Sequence, residues 1–103
     1  MRPAVLAPRA RRDLAEAVRW IAKDNPSAAH GLRDAVIAAA RRIGEHPYVG
    51  TVRSEVAGDR VRFLVLRGFP YVLVYAADRE PPRILRVLHG ARDLPDILRD
   101  LSD

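Results

Sequence analysis

The side chains that could carry out chemistry in this chain are few and widely separated. There are three histidines, His30, His46 and His89, and no cysteine, which excludes disulfides, thiolate metal ligands and cysteine nucleophiles. The histidines do not have the spacing of metal ligands. The chain also lacks a Gly-x-Gly pair, a phosphate-binding loop and a nucleophile elbow. We therefore expect no cofactor, no metal site and no catalytic residue.

His89 is the histidine whose context fits a functional role best, because it closes an apolar stretch and precedes Gly90-Ala91-Arg92-Asp93. It could act as a general base or contact a nucleic acid. The favoured interpretation is structural, with the imidazole hydrogen-bonded to nearby backbone at the edge of a sheet. For Arg92 two interpretations stay open, an ion pair with Asp93 or a contact with a partner.

Aromatic and basic residues provide candidates for binding. Tyr71 and Tyr75 could stack on bases, although half-buried sheet positions are the commoner use of such tyrosines. Trp20 could seal the contact between a helix and the sheet, or anchor a partner. The predicted partner-binding residues are Trp20, Arg60, Arg62, Arg67, Tyr71, Tyr75, His89 and Arg92.

Length and charge limit the class of protein. The chain has 103 residues and a net charge of +5, which predicts a single domain, 1–103, that attracts an acidic protein or a nucleic acid. Charge alone does not choose between those partners. No apolar run approaches the roughly 20 residues of a membrane span, and no secretory signal is evident. We expect a cytoplasmic protein without membrane contact.

Helical spacing of apolar residues dominates the first half of the chain. Pro8 suits a first helical turn, and the apolar positions that follow predict a helix ending near Asp24. Asn25-Pro26 then predicts the cap and first turn of a second helix. Gly44, followed by His46-Pro47, predicts its end.

The composition of the second half of the chain predicts β-strands. Stretches 61–66, 71–75 and 84–88 are rich in β-branched and aromatic residues. Residues 3–6 predict a first strand, 53–57 a possible short one, and 94–101 a short helix or a loose tail. The predicted fold is α+β, in the order β-α-α-β-β-β, with an N-terminal helical hairpin packed on a small, mainly antiparallel sheet. Two helices cover one face, so the second face is either covered too or completed by another chain.

This order of elements resembles the ParE branch of the RelE/ParE toxin superfamily over essentially the full length. Ala7 departs from the Ser or Thr that often caps the first helix in that family. The most specific segment is the last strand with its "H..RD" ending. The residues that carry the resemblance are Leu6-Ala7-Pro8-Arg9-Ala10, Asp13-Leu14, Ile21, Pro47, Gly50, Arg67, Tyr71 to Tyr75, and Ile84 to Asp93.

The resemblance implies the toxin of a type II toxin–antitoxin system of the plasmid-stabilisation kind, held inactive in a hetero-oligomer with a ParD-like antitoxin encoded beside it. ParE-like toxins inhibit DNA gyrase, whereas RelE-like toxins cut messenger RNA on the ribosome. RNA cleavage needs cations on adjacent strands. By our alignment Phe63, Val65 and Val72 occupy those positions, and Arg92 is the one cation left. The sequence therefore favours a non-catalytic gyrase inhibitor, with a ribosome-dependent endoribonuclease as the alternative. A DNA-binding module is disfavoured because no helix carries a basic, base-reading face.

Overall fold

The computed structural model describes residues 2–53 and 60–93. These residues form two helices and five strands in the α+β arrangement predicted from the sequence. The predicted strand residues 54–57 and the predicted segment 94–101 lie outside the described residues. In chain order the elements are β1 (Val5–Leu6), α1 (Pro8–Ala22), α2 (Pro26–Glu45), β2 (Thr51–Val52), β3 (Val61–Val65), β4 (Tyr71–Ala76) and β5 (Arg83–His89).

The helix boundaries follow from local chemistry. Asn25 caps α2, and its side-chain oxygen accepts a hydrogen bond from the Ala28 N–H at 3.0 Å. No side chain caps α1, as Ala7 leads one to expect. Gly44 has a role other than the predicted helix stop, because it lies inside α2, which ends at Glu45. A Cβ at Gly44 would meet the carbonyl oxygen of Arg2, so this glycine lets the N-terminal segment cross the helix closely.

The sheet is mixed and has the strand order β1-β5-β4-β3-β2. The short β1 pairs in parallel with the start of β5, while the other neighbours are antiparallel. A register shift between Val74 and Tyr75 interrupts the β4–β5 ladder. The helical hairpin connects β1 to β2, which lie at opposite edges of the sheet. The hairpin must therefore cross one face of the sheet, which is why the helices lie against it.

Side chains alternate between the two faces of β4. Tyr71, Leu73 and Tyr75 pack with the apolar stripes of the helices, whereas Val72 and Val74 form a second cluster. That second cluster is closed as well, since its buried members are between 1% and 8% exposed. Of the two alternatives raised by the sequence, a covered second face is correct for its centre. Among the described residues, the exposed large apolar side chains are Val5, Trp20, Ile37, Tyr48 and Val65. Of these, Val65 lies beside the second cluster, at the end of β3, where it pairs with Val72.

Tyr75 fastens the segment after α2 to the sheet. Its hydroxyl donates to the Pro47 carbonyl and accepts from the Gly50 N–H, both at 2.8 Å. Gly50 is required at this contact, because a Cβ there would lie 2.7 Å from the Tyr75 ring. Burial raises the pKa of Tyr75 above its ordinary value of 10.0, with the Gly50 hydrogen bond opposing the shift. Arg62 adds a second fastening by donating to the Gly50 carbonyl at 2.8 Å.

We expect Tyr75→Phe to lower the free energy of unfolding by about 1–3 kcal/mol, because the ring stays while the Gly50 N–H and the Pro47 carbonyl lose their partner. Urea unfolding at neutral pH measures the loss. Tyr48→Phe is the matched control, since Tyr48 is 71% exposed and its loss of a hydroxyl should change little. Equal stability of the two variants would contradict the fastening role of Tyr75.

Candidate functional site

A carboxylate of α1 binds the middle of β5. Asp13 lies on the buried face of the helix between Ala10 and Ala17. Its two oxygens accept from the Arg86 guanidinium at 2.8 and 3.1 Å, and one of them also accepts from the Val87 N–H at 3.0 Å. The side chains of Asp13 and Arg86 are only 14% and 19% exposed. Because β1 pairs with no residue of β5 beyond Ile84, Asp13 supplies an acceptor where a strand is missing.

The His89–Asp93 segment folds back on itself directly after β5. The His89 N–H donates to the Asp93 carboxylate at 3.0 Å, and the Asp93 N–H donates to the His89 carbonyl at 2.8 Å. The Arg92 N–H donates to Nδ1 of His89 at 3.1 Å. The Arg92 guanidinium then forms a two-pronged pair with Asp93, at 2.8 and 3.1 Å. This closed turn accounts for the "H..RD" pattern and agrees with the structural interpretation of His89.

Arg92 and Asp93 stabilise each other's charged forms. The hydrogen bond from Arg92 holds the pKa of Asp93 below its ordinary value of 3.8, assisted by the His89 N–H and opposed by burial. The same hydrogen bond raises the pKa of Arg92. Nδ1 of His89 already accepts a hydrogen bond from the Arg92 N–H, so only Nε2 of this ring is left to contact another group. A group whose basic nitrogen is occupied is a poor general base.

A groove of about 300 Å³ separates α1 from the turn. Tyr71 lies in its lining and packs edge-on against His89, with ring centroids 5.4 Å apart. Trp20 stands at the rim, 64% exposed, with the Lys23 ammonium 5.1 Å from its ring centroid. The lining carries both signs of charge and one large exposed aromatic. These are features of a protein-binding surface more than of a reaction centre. The lining consists of Asp13, Glu16, Ala17, Trp20, Tyr71, Val87, Arg92 and Asp93.

The structure brings together four of the eight predicted partner-binding residues. Trp20, Tyr71 and Arg92 line the groove, and His89 supports Tyr71 from behind. We refer to this surface as the α1–β5 groove. Sequence reasoning missed Asp13 and Glu16, which also line it, and Arg86, which pairs with Asp13. The sequence did contain a signal for Asp13, which lies at helical spacing between the apolar residues Ala10 and Ala17. A charged side chain on the buried face of a helix needs a partner.

The other four predicted residues lie apart. Tyr75 is 0% exposed and Tyr71 is 3% exposed, so the predicted role of these two rings in stacking on bases is wrong. The Tyr75 hydroxyl serves the fold instead. Arg62 holds the Tyr48–Gly50 loop. Arg60 and Arg67 are exposed and flank opposite ends of β3. The predicted residues therefore do not form one continuous patch.

The described residues offer neither a metal site nor a membrane-spanning helix. Across 2–53 and 60–93, no group of three potential ligands could hold a metal ion. Neither helix in those ranges has the length and apolar character required to span a bilayer.

Comparisons with known proteins identify the class that this fold and groove belong to. The family model described as the ParE toxin of type II toxin–antitoxin systems, parDE, matches residues 4–94. The chain therefore belongs to the ParE toxin family, and the resemblance seen in the sequence is confirmed.

Individual relatives agree with this family. The chain is 32% identical over 90 residues to Toxin RelE3 of Caulobacter vibrioides, covering 87% of this chain and 96% of the relative. It also resembles a solved structure described as a chromosomal ParDE toxin–antitoxin system from P. aeruginosa. That match has a TM-score of 0.72 and 18% identity, and it covers 86% of this chain and 96% of the other. At that identity the match establishes the shared fold.

We expect Asp13→Ala to destabilise the protein by about 2–4 kcal/mol, because Arg86 stays largely buried without its counter-charge and the Val87 N–H loses its acceptor. Urea unfolding provides the measurement, with Asp34→Ala, an exposed carboxylate of α2, as the matched control. Adding Arg86→Met to Asp13→Ala should restore part of the loss by removing the unpaired charge. Full additivity of the two changes would contradict the coupling.

The Asp93 turn predicts a pH dependence. Because the folded pKa of Asp93 lies below 3.8, its contribution to stability is present above pH 3.8 and is lost as the pH falls through the folded pKa. Wild type should therefore exceed Asp93→Asn in unfolding free energy at pH 7, and the difference should shrink towards pH 3. Urea unfolding of both proteins across that range isolates Asp93, since the other carboxylates cancel in the difference. A difference that stays constant with pH would mean that the pair with Arg92 contributes no net stability.

Proposed function

We propose that this ParE-family toxin inhibits DNA gyrase by binding to it, without a catalytic step of its own, and that a ParD-like antitoxin encoded beside it neutralises it in a toxin–antitoxin hetero-oligomer. The proposed place of action is the cytoplasm. Family membership over residues 4–94 supports the toxin class. The choice of gyrase over RNA rests on how the chain uses its arginines.

Three arginines, on β3, on β5 and in the turn after β5, already have partners. Arg62 donates to the backbone of Tyr48 and Gly50, Arg86 pairs with Asp13, and Arg92 pairs with Asp93. A cation that stabilises a developing phosphate charge must face the substrate, preorganised and in a site that excludes water. Arg62 and Arg86 are instead occupied in holding the fold, and Arg92, although its side chain is 60% exposed, is already paired with the Asp93 carboxylate. This observation carries the proposal.

The positions that align with the catalytic cations of the RelE-like branch also argue against RNA cleavage. Phe63 and Val72 are buried apolar side chains on the second face of the sheet, and Val65 beside them is apolar too. Losing several cations from one site would forfeit several kcal/mol of transition-state stabilisation. The ribosome-dependent endoribonuclease stays as the second candidate because one curated relative carries the RelE name.

The α1–β5 groove is the proposed contact with gyrase. Trp20 is the most exposed large apolar side chain of the groove, and exposed tryptophans beside a polar rim dominate many protein interfaces. Arg92 lies across the groove with its side chain 60% exposed, so it can reach an acidic partner while remaining paired with Asp93.

A gyrase supercoiling assay tests the proposal. Purified protein should block supercoiling, and Trp20→Ala should raise the half-inhibitory concentration about tenfold or more, as expected for the loss of an interface anchor. Ile37→Ala is the matched control, because Ile37 is an exposed apolar residue of α2 outside the groove. Supercoiling untouched by wild type, together with codon-linked cuts found by primer extension, would replace gyrase inhibition with the endoribonuclease.

A further inference from the structure

The charged side chains that line the α1–β5 groove are paired, with one exception. Asp13 pairs with Arg86, and Asp93 pairs with Arg92. Glu16 also lines the groove and is exposed, but it forms no ion pair with a basic side chain of residues 2–53 or 60–93. Because the two pairs neutralise themselves, Glu16 is the carboxylate of this groove that is left to bind an occupant.

Tyr71 presents a second open polar group to the groove. The residue is only 3% exposed. Its hydroxyl makes no hydrogen bond to another described residue, whereas the hydroxyl of Tyr75 makes two. In the described part of the chain, no fully buried side-chain oxygen is left without a partner. The Tyr71 hydroxyl therefore opens into the groove that it lines, where it can accept a hydrogen bond from an occupant.

Trp20 gives the groove an aromatic face that attracts cations. It follows Glu16 by four residues on α1, so the two side chains lie on the same side of the helix. The Lys23 ammonium already lies 5.1 Å from the centroid of the Trp20 ring. An indole has two faces, so one cation there leaves a face for a second.

Glu16 and Tyr71 lie at the same end of the groove. The hydrogen bond from Arg92 to Asp93 is the main reason why the pKa of Arg92 is raised, and the charges of Tyr71 and Glu16 add to that effect. Both groups are therefore near the Arg92 guanidinium. Since Arg92 is paired with Asp93, its own charge is largely balanced and does not exclude a second cation beside Glu16.

We propose that the α1–β5 groove takes an arginine side chain of the protein that fills it, with the guanidinium stacked on Trp20 and donating hydrogen bonds to the Glu16 carboxylate and the Tyr71 hydroxyl. A guanidinium has a planar face and five N–H donors, so it can make these contacts together. A lysine ammonium would bind the carboxylate as a point charge without the stacking. The inference deepens the proposed contact with gyrase, and it rests on that proposal for the identity of the partner.

Nuclear magnetic resonance of the indole N–H tests the site without gyrase. Trp20 is the single tryptophan of the chain, so its indole gives one signal. Titration with N-acetyl-arginine amide should shift that signal to saturation with a Kd on the order of millimolar. N-acetyl-citrulline amide has nearly the same shape without the charge and should shift the signal little. Equal shifts from the two probes overturn the proposal.

Variants locate the cation within the groove. Glu16→Gln removes the charge while keeping the size, and it should weaken binding of the arginine probe about fivefold or more. Tyr71→Phe should weaken it about threefold without lowering the urea midpoint, because the hydroxyl has no partner among the described residues. Glu45→Gln, which changes an exposed carboxylate at the end of α2 outside the groove, should bind like wild type. Unchanged binding by Glu16→Gln would refute the site.

Charge reversal connects the site to the proposed target. Glu16→Arg should repel an incoming guanidinium and raise the half-inhibitory concentration in the supercoiling assay about tenfold or more. Glu45→Arg is the matched control and should inhibit like wild type. Circular dichroism confirms that each variant is folded before it is assayed.

The two assays separate this inference from the proposed function. Wild type that binds the arginine probe but leaves supercoiling untouched would reject gyrase as the partner and keep the arginine site. Wild type and Glu16→Arg that inhibit supercoiling equally would overturn the arginine site and keep gyrase as the target.

Discussion

The arrangement of helices and sheet depends on one contact. The Asp13 carboxylate accepts three hydrogen bonds, two from the Arg86 guanidinium and one from the Val87 N–H. β5 has a strand beside it on one side along its length, but β1 covers only its beginning on the other side. The Asp13 carboxylate accepts a hydrogen bond from the unpaired Val87 N–H of this strand and also forms an ion pair with Arg86. It thereby sets the distance of α1 from the sheet, and with it the width of the α1–β5 groove.

The arginines of this basic chain divide into two groups. Part of the positive charge is used internally, where arginines bridge elements that are far apart in the sequence, as Arg62 does for the loop before β2. Other arginines lie on the surface and pair with no acidic side chain in the described part of the chain, as is the case for Arg42 and Arg67. Paired arginines stabilise the fold, whereas open ones attract acidic partners. That division is consistent with the proposed function by binding.

Local patterns were enough to predict most elements. The Asn25-Pro26 pair marked the start of α2, and the β-branched stretches marked β3, β4 and β5. The structural role of His89 followed from its place at a strand end. The same patterns misled for Tyr75, because a period of two shows that Tyr71 and Tyr75 share a face without showing which face the helices cover. They also predicted a helix stop at Gly44. This glycine instead makes room for Arg2, which is distant in the chain, so no local pattern could show the contact.

The sequence by itself determined the class of fold, the positive charge, the absence of cysteine chemistry and the family, because these depend on composition and on spacing within single elements. Tertiary structure alone decided which charges are paired and which are open. The Asp13 and Arg86 partners are 73 residues apart, and the Tyr75 and Pro47 partners are 28 apart. A hydrogen bond requires contact within about 3 Å, and separations of that kind are set by the packing of whole elements rather than by any local pattern.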